Sequence, residues 1–291
     1  MIRYIKREKL DIKKYNACIE QSRNHKMYGY SWYLDIVADN WGILIYGDYQ
    51  YVMPLPWRKK YGIHYVYPPE WTQQLGIFSA NKIDATLVEK FLKNIPRKFK
   101  KVTINFNSGN FNSNFETKSN FLLPLKKPHS DIVVGYSKLR KRHVKKTFES
   151  SIELNNSDNC NDLIEMFIDQ KKDTINIIPS SYEKLKNLVS YLIENREVLI
   201  VKATNRSNEL LGGAIFIIEN STIYYLFSTI NKEGNEKFIM TQVIDSIIKQ
   251  YSETDYILDF EGSMVPGIAR FFESFGAKEE EYFSFKKYVV F

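Results

Sequence analysis

The chain has 291 residues, with 44% hydrophobic and 26% charged residues, a globular composition long enough for about two domains. No apolar run approaches the roughly 20 residues that span a bilayer, and the N-terminus lacks the apolar core of a signal peptide. Cys18 and Cys160 are too few for a disulfide framework, and the four scattered histidines have no metal-ligand spacing. We therefore expect a cytoplasmic, metal-free protein whose net charge of +7 favours anionic partners.

The first half of the chain predicts helices and strands in a definite order. Apolar periodicity predicts helices over 11–23 and 31–38, and β-rich runs on either side of Gly47-Asp48 predict a hairpin. A helix over 82–94, ended by Pro96, precedes a strand over 101–107. The asparagine-rich residues 108–119 read as a polar turn region.

The second half repeats this order. It predicts a helix over 161–173, a second helix capped by Ser180 or Ser181 and running to 194, and a hairpin over 198–218. A strand over 221–228, a helix over 238–251 and a strand over 256–261 follow. Ile104-Asn-Phe-Asn-Ser-Gly also aligns with Leu258-Asp-Phe-Glu-Gly-Ser. Such self-similarity indicates duplicated units. We predict two similar α/β domains, 1–130 and 131–291, each a twisted mixed sheet flanked by helices, with a cleft between them.

A strand followed by a short helix, residues 258–277, is the strongest candidate for chemistry. Side chains alternate along a strand, so Asp259 and Glu261 are predicted to share one face at its end, beside the start of a helix containing Pro266. Paired carboxylates in such a place suit acid–base catalysis. A strand edge with two solvated acids is the alternative.

Several segments, taken in order, resemble the FemAB-like family of tandem GNAT acyltransferases. The segments are Trp32-Tyr-Leu-Asp, Tyr51-Val-Met-Pro-Leu-Pro-Trp-Arg-Lys-Lys-Tyr-Gly, Gln73-Gln-Leu-Gly-Ile-Phe, Tyr136-Ser-Lys-Leu-Arg-Lys-Arg-His, Leu211-Gly-Gly-Ala and Leu258-Asp-Phe-Glu-Gly-Ser. The resemblance implies transfer of an acyl or aminoacyl group to an amine. In the best-known members the donor is aminoacyl-tRNA and the acceptor is a cell-wall peptide precursor. We assign catalysis to the second domain and acceptor binding to the first, because the counterparts of Asp259 and Glu261 in the first repeat are amides that cannot take a proton, Asn105 and Asn107.

One departure concerns the donor. GNAT domains that use acetyl-CoA carry Arg/Gln-x-x-Gly-x-Gly/Ala, whose backbone N–H groups hold the pyrophosphate. The corresponding stretch here begins at Asn231 and ends at Glu236. Gly234 fits this pattern, but Glu236 would repel a pyrophosphate, which Lys232 and Lys237 would offset only in part. This departure disfavours CoA and predicts weak or no binding of acetyl-CoA, and the two donors under consideration are acyl-CoA and aminoacyl-tRNA.

The remaining candidates are basic, amide, aromatic and hydroxyl residues that could line a binding cleft. Those predicted to bind acceptor or substrate are Trp57, Arg58, Lys59, Tyr61, Gln73, Gln74, Ser228 and Arg270. The basic run 138–146 contains Arg140, Arg142 and Lys145, which are predicted to contact donor phosphates or RNA. The structural alternative is a solvated basic loop for residues 57–61, a strand facing a core for Gln73 and Gln74, and an ordinary surface arginine for Arg270. For the basic run it is a solvated helix that connects the two domains.

Three functions remain open at this point. The first is acyl or aminoacyl transfer to a small-molecule or peptide amine. The second is ordinary acetyl-CoA-dependent N-acetylation, and the third is a tandem GNAT protein that binds a ligand without catalysis. Asp259 and Glu261 favour an enzyme, whereas the degenerate loop at 231–236 favours binding alone.

Overall fold

The computed structural model describes residues 1–148, 152–171 and 179–288, and only the backbone of Phe148, Lys171 and Pro179. The chain forms two compact units. The first unit comprises Met1–Ser119 and the C-terminal segment from Glu281, and the second comprises Asn120–Glu280. In the described parts of the chain, every helix is too short or too polar to cross a membrane.

The strands and helices are numbered along the chain. The strands are β1 (Ile2–Lys6), β2 (Asn40–Tyr46), β3 (Tyr51–Lys60), β4 (Ile63–Val66), β5 (Phe99–Phe106), β6 (Glu116–Pro124), β7 (Glu153–Ser157), β8 (Glu197–Thr204), β9 (Leu210–Glu219), β10 (Thr222–Ile230), β11 (Ile257–Asp259) and β12 (Lys278–Tyr288). The α-helices are α1 (Ile12–Glu20), α2 (Ser31–Val37), α3 (Ala85–Lys93), α4 (His129–Val134), α5 (Lys138–Phe148), α6 (Asn161–Lys171), α7 (Pro179–Asn195), α8 (Lys232–Glu236), α9 (Ile239–Gln250) and α10 (Pro266–Glu273). Single 3-10 turns occur at Arg7–Lys9 and Met27–Gly29.

Each unit contains a six-stranded mixed sheet, and the two sheets have the same pattern of strand directions. The first has the order β1-β2-β3-β4-β5-β12, antiparallel except for the parallel pair β4/β5. The second has the order β7-β8-β9-β10-β11-β6, antiparallel except for the parallel pair β10/β11. The predicted α/β architecture with repeated mixed sheets is confirmed.

The sixth strand of each sheet was not predicted. β6 follows β5 along the chain but pairs with β11, where Leu123 lies opposite Leu258. β12 follows the second repeat but pairs with β5, where Phe285 lies opposite Ile104. The sixth strand of each sheet therefore comes from the chain segment that follows the other repeat.

The helix ends follow from local capping. Asp84 accepts a hydrogen bond from the Leu87 backbone N–H at 2.7 Å, so α3 begins at Ala85, after the predicted start at residue 82. α7 begins at Pro179, so Ser180 and Ser181 lie in its first turn. The prediction that one of them caps this helix is therefore wrong. Of the predicted helix over 161–173, the last two residues lie outside the described part of the chain.

Each unit has its own apolar core. In the first unit, α3 packs Val88 and Phe91 against the sheet residues Phe99, Val102 and Ile104. In the second, buried side chains of the sheet pack against those of α9, of α10 and of the turn after α10: Phe216, Ile223, Leu258, Ile244, Ile248, Phe272 and Phe275. Burying each such side chain contributes about 1.5–3 kcal/mol.

Stability of the chain is expected to fall below about pH 6.5 because of His25. Burial, and then the charge of Lys26, lower the pKa of this histidine to about 4. The unfolded state therefore binds a proton between about pH 6.5 and pH 4 that the folded state does not, and stability falls as the pH falls through that range. We expect a loss of about 2 kcal/mol between pH 7.5 and pH 5. Urea unfolding should show a smaller loss for His25→Gln, and an equal loss in both proteins would contradict this origin.

Candidate active site

The second sheet opens where β10 and β11 separate. The two strands pair in parallel only from Thr222 opposite Ile257 to Tyr224 opposite Asp259. β10 then continues to Ile230, and a β-bulge between Tyr225 and Phe227 changes its direction. The backbone edge of β10 beyond Tyr224 is therefore not paired with β11, and a gap opens in the sheet.

The chain turns away from the sheet just beyond β11, after Phe260, whose backbone N–H still donates to Phe121 O of β6 at 3.0 Å. The Glu261 backbone N–H donates to Asp259 Oδ1 at 2.9 Å, and Glu261 and Gly262 both have left-handed backbone conformations, with φ of 56° and 55°. A non-glycine residue is held there only when its surroundings require it, and such strain clusters at functional sites. The strand predicted over 256–261 thus ends at Asp259, and Glu261 does not follow the strand alternation from which a shared face was predicted.

A cavity of about 510 Å³ lies in the second unit, between the end of β10 and four helices. Its volume is within the range of small-molecule sites. Its walls come from β10, α5, α8, α9 and α10, with Asn235 contributed by α8. The lining residues include Ser228, Ile230, Arg140, His143, Phe238, Thr241, Ile268 and Phe271.

Arg140 is the main charged group of this cavity. Its side chain is only 5% exposed, and no described carboxylate lies within ion-pair distance of it. Nε donates to Ser274 Oγ at 2.9 Å, a second nitrogen contacts Thr241 Oγ1, and the guanidinium lies 4.3 Å from the ring centre of Phe271. Burial lowers the pKa of Arg140 to about 10, so it stays charged at neutral pH. A buried charge without a counterion costs several kcal/mol, which an anionic ligand would offset.

The start of α9 adds to this positive potential. Phe238 is its N-cap residue, has a left-handed backbone with φ of 59°, and provides no side-chain hydrogen bond to the helix end. The positive end of a helix dipole attracts anions. The Phe238 ring stacks on His143 at 3.8 Å between ring centres. Burial and the neighbouring cations lower the pKa of His143, so this imidazole is neutral at pH 7.

The segment predicted as a donor loop is a short helix whose polar groups bond to one another. Asn231 caps α8 by accepting from the Gly234 backbone N–H at 2.7 Å, and its Nδ2 donates to Leu210 O at 3.1 Å. Lys237 Nζ lies 2.5 Å from Glu233 Oε1, and Lys232 is exposed. The backbone N–H groups of Gly234, Asn235 and Lys237 are thus already bonded within this segment and are not available to a pyrophosphate.

Gly234→Ala is expected to destabilise the chain by about 1–3 kcal/mol through overpacking. A Cβ at Gly234 would lie 2.5 Å from Leu211 O, a backbone atom that cannot move away alone. Gly267 is the matched control, because nothing lies within 4 Å of a Cβ there. Urea unfolding should show the loss for Gly234→Ala and little change for Gly267→Ala; equal midpoints would disprove the packing argument.

The two candidate carboxylates lie at the sheet opening but do not line the cavity. Ile223 and Leu258 face each other in the core beside α9, so Asp259, the next residue along β11, points to the opposite face of the sheet. Asp259 is fully buried and Glu261 is half-buried.

Only some of the predicted donor and substrate residues of the second unit lie at the cavity. Arg140 and Ser228 line the cavity. Arg142 and Lys145 are exposed on α5, and Arg270 is exposed on α10. Arg140 lies on the same buried helical face as Val144 and Thr147, and this spacing could have distinguished it from the other cations of the run. The sequence analysis did not identify His143 or Phe238 as cavity residues.

In the first unit, the predicted acceptor residues do not form one cleft. Arg58 pairs with Asp39 at 3.0 Å and Glu70 at 3.4 Å, so its charge is already neutralised. Trp57 packs against the rings of His64 and Phe99 at 5.3 and 6.1 Å.

The other predicted acceptor residues lie at the surface or in the interior of the first unit. Lys59 and Tyr61 are exposed at the end of β3 and in the turn after it. Gln74 is fully buried and donates to Gln73 Oε1 at 2.6 Å. The opening beside Gln73 holds about 10 Å³, no more than a water molecule.

No protein-family model matches the chain, and no curated protein matches it. Solved structures do. FemX superposes with a TM-score of 0.66 at 10% identity, over 94% of this chain and 96% of that chain. L-PGS from Bacillus licheniformis gives 0.52 at 9% identity, over 96% and 92%. A tandem GNAT protein from the clavulanic acid biosynthesis pathway gives 0.50 at 9% identity, over 100% and 99%. At these identities the similarity concerns the fold, and at that level the predicted resemblance to FemAB-like and tandem GNAT proteins is confirmed.

Proposed function

We propose that the chain transfers an acyl or aminoacyl group from an anionic donor to an amine, and that the second unit binds the donor. The observation that carries this proposal is Arg140, a buried cation without a described carboxylate partner in the wall of a cavity beside a sheet opening. Such a group lowers stability unless it binds an anion. The fold shared with FemX and the tandem GNAT protein supports the same reaction class.

The reaction requires an amine to lose a proton and attack a carbonyl carbon. A donor in the cavity would extend its acyl end towards the gap between β10 and β11. Asp259 and Glu261 stand at that gap and are the proposed proton acceptors, since a carboxylate can take a proton where an amide cannot. As the carbon–nitrogen bond forms, the donor's leaving oxygen or sulfur departs and takes a proton.

Aminoacyl-tRNA and acyl-CoA are the two donors under consideration. The local bonding of α8 disfavours the usual pyrophosphate contacts of CoA. The exposed cations Arg142 and Lys145 suit a longer polyanion. The same α8 bonding also favours the non-catalytic alternative, a protein that binds a ligand without transferring an acyl group.

A direct test uses the purified chain with labelled acyl-CoA or labelled aminoacyl-tRNA and a set of small amines and peptides. Mass spectrometry should detect a new amide formed from one of the two donors. Tight donor binding without any amide product would favour the non-catalytic alternative.

If RNA is the donor, its binding is expected to weaken steeply with salt. The double substitution Arg142→Gln and Lys145→Gln should lower the log–log slope by up to about 0.7–0.9 for each phosphate that the protein no longer neutralises. Lys82→Gln with Lys90→Gln is the matched control, since both of these lysines are exposed in the first unit. Micromolar acetyl-CoA binding, with an RNA affinity that the first pair leaves unchanged, would favour acetyl transfer.

A further inference from the structure

The first unit contains a cavity that the proposed transfer reaction does not use. It has a volume of about 810 Å³ and lies between the end of α3, the start of β5 and the end of β12. Its wall includes the half-buried apolar residues Leu92, Ile95, Phe115 and Phe285. These residues border the core of the first unit, so the core is open to solvent on this side.

The charged side chains that line this cavity are mostly positive. The cations are Lys93, Arg97, Lys100 and Lys287, and the one acid is Glu89. Glu89 lies 3.7 Å from Lys93 and is neutralised by it. Arg97 and Lys287 are exposed, at the mouth, and no carboxylate of the described residues pairs with either. The mouth is therefore positive above an apolar interior.

Asn112 gives a second and independent indication of a ligand. This cavity-lining side chain is only 4% exposed. Its Oδ1 accepts from the Asn114 backbone N–H at 3.0 Å, which fixes its orientation. Its Nδ2 makes no hydrogen bond to the residues that the structure describes and is not sealed from solvent, so it can donate to water or to a ligand in the cavity. An anionic oxygen in the cavity would accept from it.

We propose that this cavity binds a single-chain anionic amphiphile, with its alkyl chain against the apolar wall and its carboxylate or phosphate near Asn112, Arg97 and Lys287. The volume lies within the range of sites for one small molecule, which favours a monomeric ligand. Each buried methylene should strengthen binding about fourfold. This site is separate from the donor cavity and does not depend on the transfer reaction.

Calorimetry with octanoate, decanoate and dodecanoate below their micelle concentrations tests the proposal. Affinity should rise with chain length, and dodecyltrimethylammonium should bind at least about tenfold more weakly than dodecanoate, because its charge is repelled at the mouth. An affinity that does not depend on the length of the alkyl chain, or that is higher for the cationic probe, would overturn the proposal. So would binding to phosphatidylglycerol vesicles without any binding of monomeric dodecanoate.

Two sets of variants locate the site. Asn112→Asp keeps the acceptor for Asn114 and replaces the free donor with a negative charge, so dodecanoate affinity should fall about tenfold or more. Arg97→Gln with Lys287→Gln should weaken dodecanoate about tenfold and leave dodecan-1-ol unchanged. Lys82→Gln with Lys90→Gln removes the same charge from exposed positions elsewhere in the first unit and should change neither. Equal effects of the two pairs would place the ligand elsewhere.

Discussion

Arg140→Gln is expected to weaken donor binding by about 30-fold or more. Removing one member of a desolvated charge pair typically costs about 2–5 kcal/mol of binding free energy. Arg140 is 5% exposed in the cavity wall, so its contact with an anion would be largely shielded from water. Arg140→Lys should rescue little, since an ammonium lacks the planar donors that bind two oxygens at once. Calorimetric titration of the labelled donor measures both effects.

Stability provides the control for this prediction. In the unliganded chain, Arg140 is buried without a described carboxylate partner, so replacing it with an uncharged side chain relieves a desolvation cost. Arg140→Gln should therefore unfold at a urea concentration close to that of the parent chain, although its donor affinity falls. Arg142→Gln removes an exposed charge from the same helix and should change donor affinity only a few-fold. If Arg142→Gln cost as much as Arg140→Gln, the cavity would not be the donor site.

The repeated fold was predictable because its signals are local. The hairpin at Gly47, the apolar periodicity of α3 and α9, and the strands around them are each encoded within a short stretch. The sixth strands were not predictable in the same way. β6 begins with polar residues that read as a turn, and its partner β11 lies far along the chain. The pairing of β12 with β5 is also set by tertiary packing rather than by local sequence.

The candidate site was predicted only in part, for two physical reasons. A run of lysines and arginines usually lies in solvent, and only the helical spacing of Arg140 with Val144 and Thr147 indicates that one of them is buried. The strand beyond Leu258 was extended too far because Glu261 is not a residue type that favours a left-handed backbone. Gly262 alone signalled the turn that begins one residue earlier.

Glu261→Gln is expected to lower turnover by about 100-fold or more, if this carboxylate takes the proton of the amine. Glu261 is half-buried, whereas Asp259 is fully buried and accepts a hydrogen bond from the Glu261 backbone N–H at 2.9 Å. An asparagine at position 259 would still present an oxygen to that N–H. Asp259→Asn should therefore preserve the turn, and its effect on turnover separates a positioning role from proton transfer. Glu273→Gln, an exposed change on α10, is the matched control and should leave turnover unchanged.

The chemistry is assigned to the second unit because the first repeat has an amide where the second has Glu261. Asn107 is the counterpart of Glu261 by sequence alignment, and its amide cannot accept a proton at neutral pH. It is fully buried, donates to Leu75 O at 2.7 Å, and accepts from Asn24 Nδ2 at 2.8 Å. Those bonds connect segments of the first unit, so Asn107→Ala should lower the free energy of unfolding by about 1–3 kcal/mol. Any loss of turnover should follow the unfolded fraction and recover at lower temperature, whereas the loss in Glu261→Gln should persist in fully folded protein. A fully folded Asn107→Ala without activity, beside a fully active Glu261→Gln, would reverse the assignment of chemistry to the second unit.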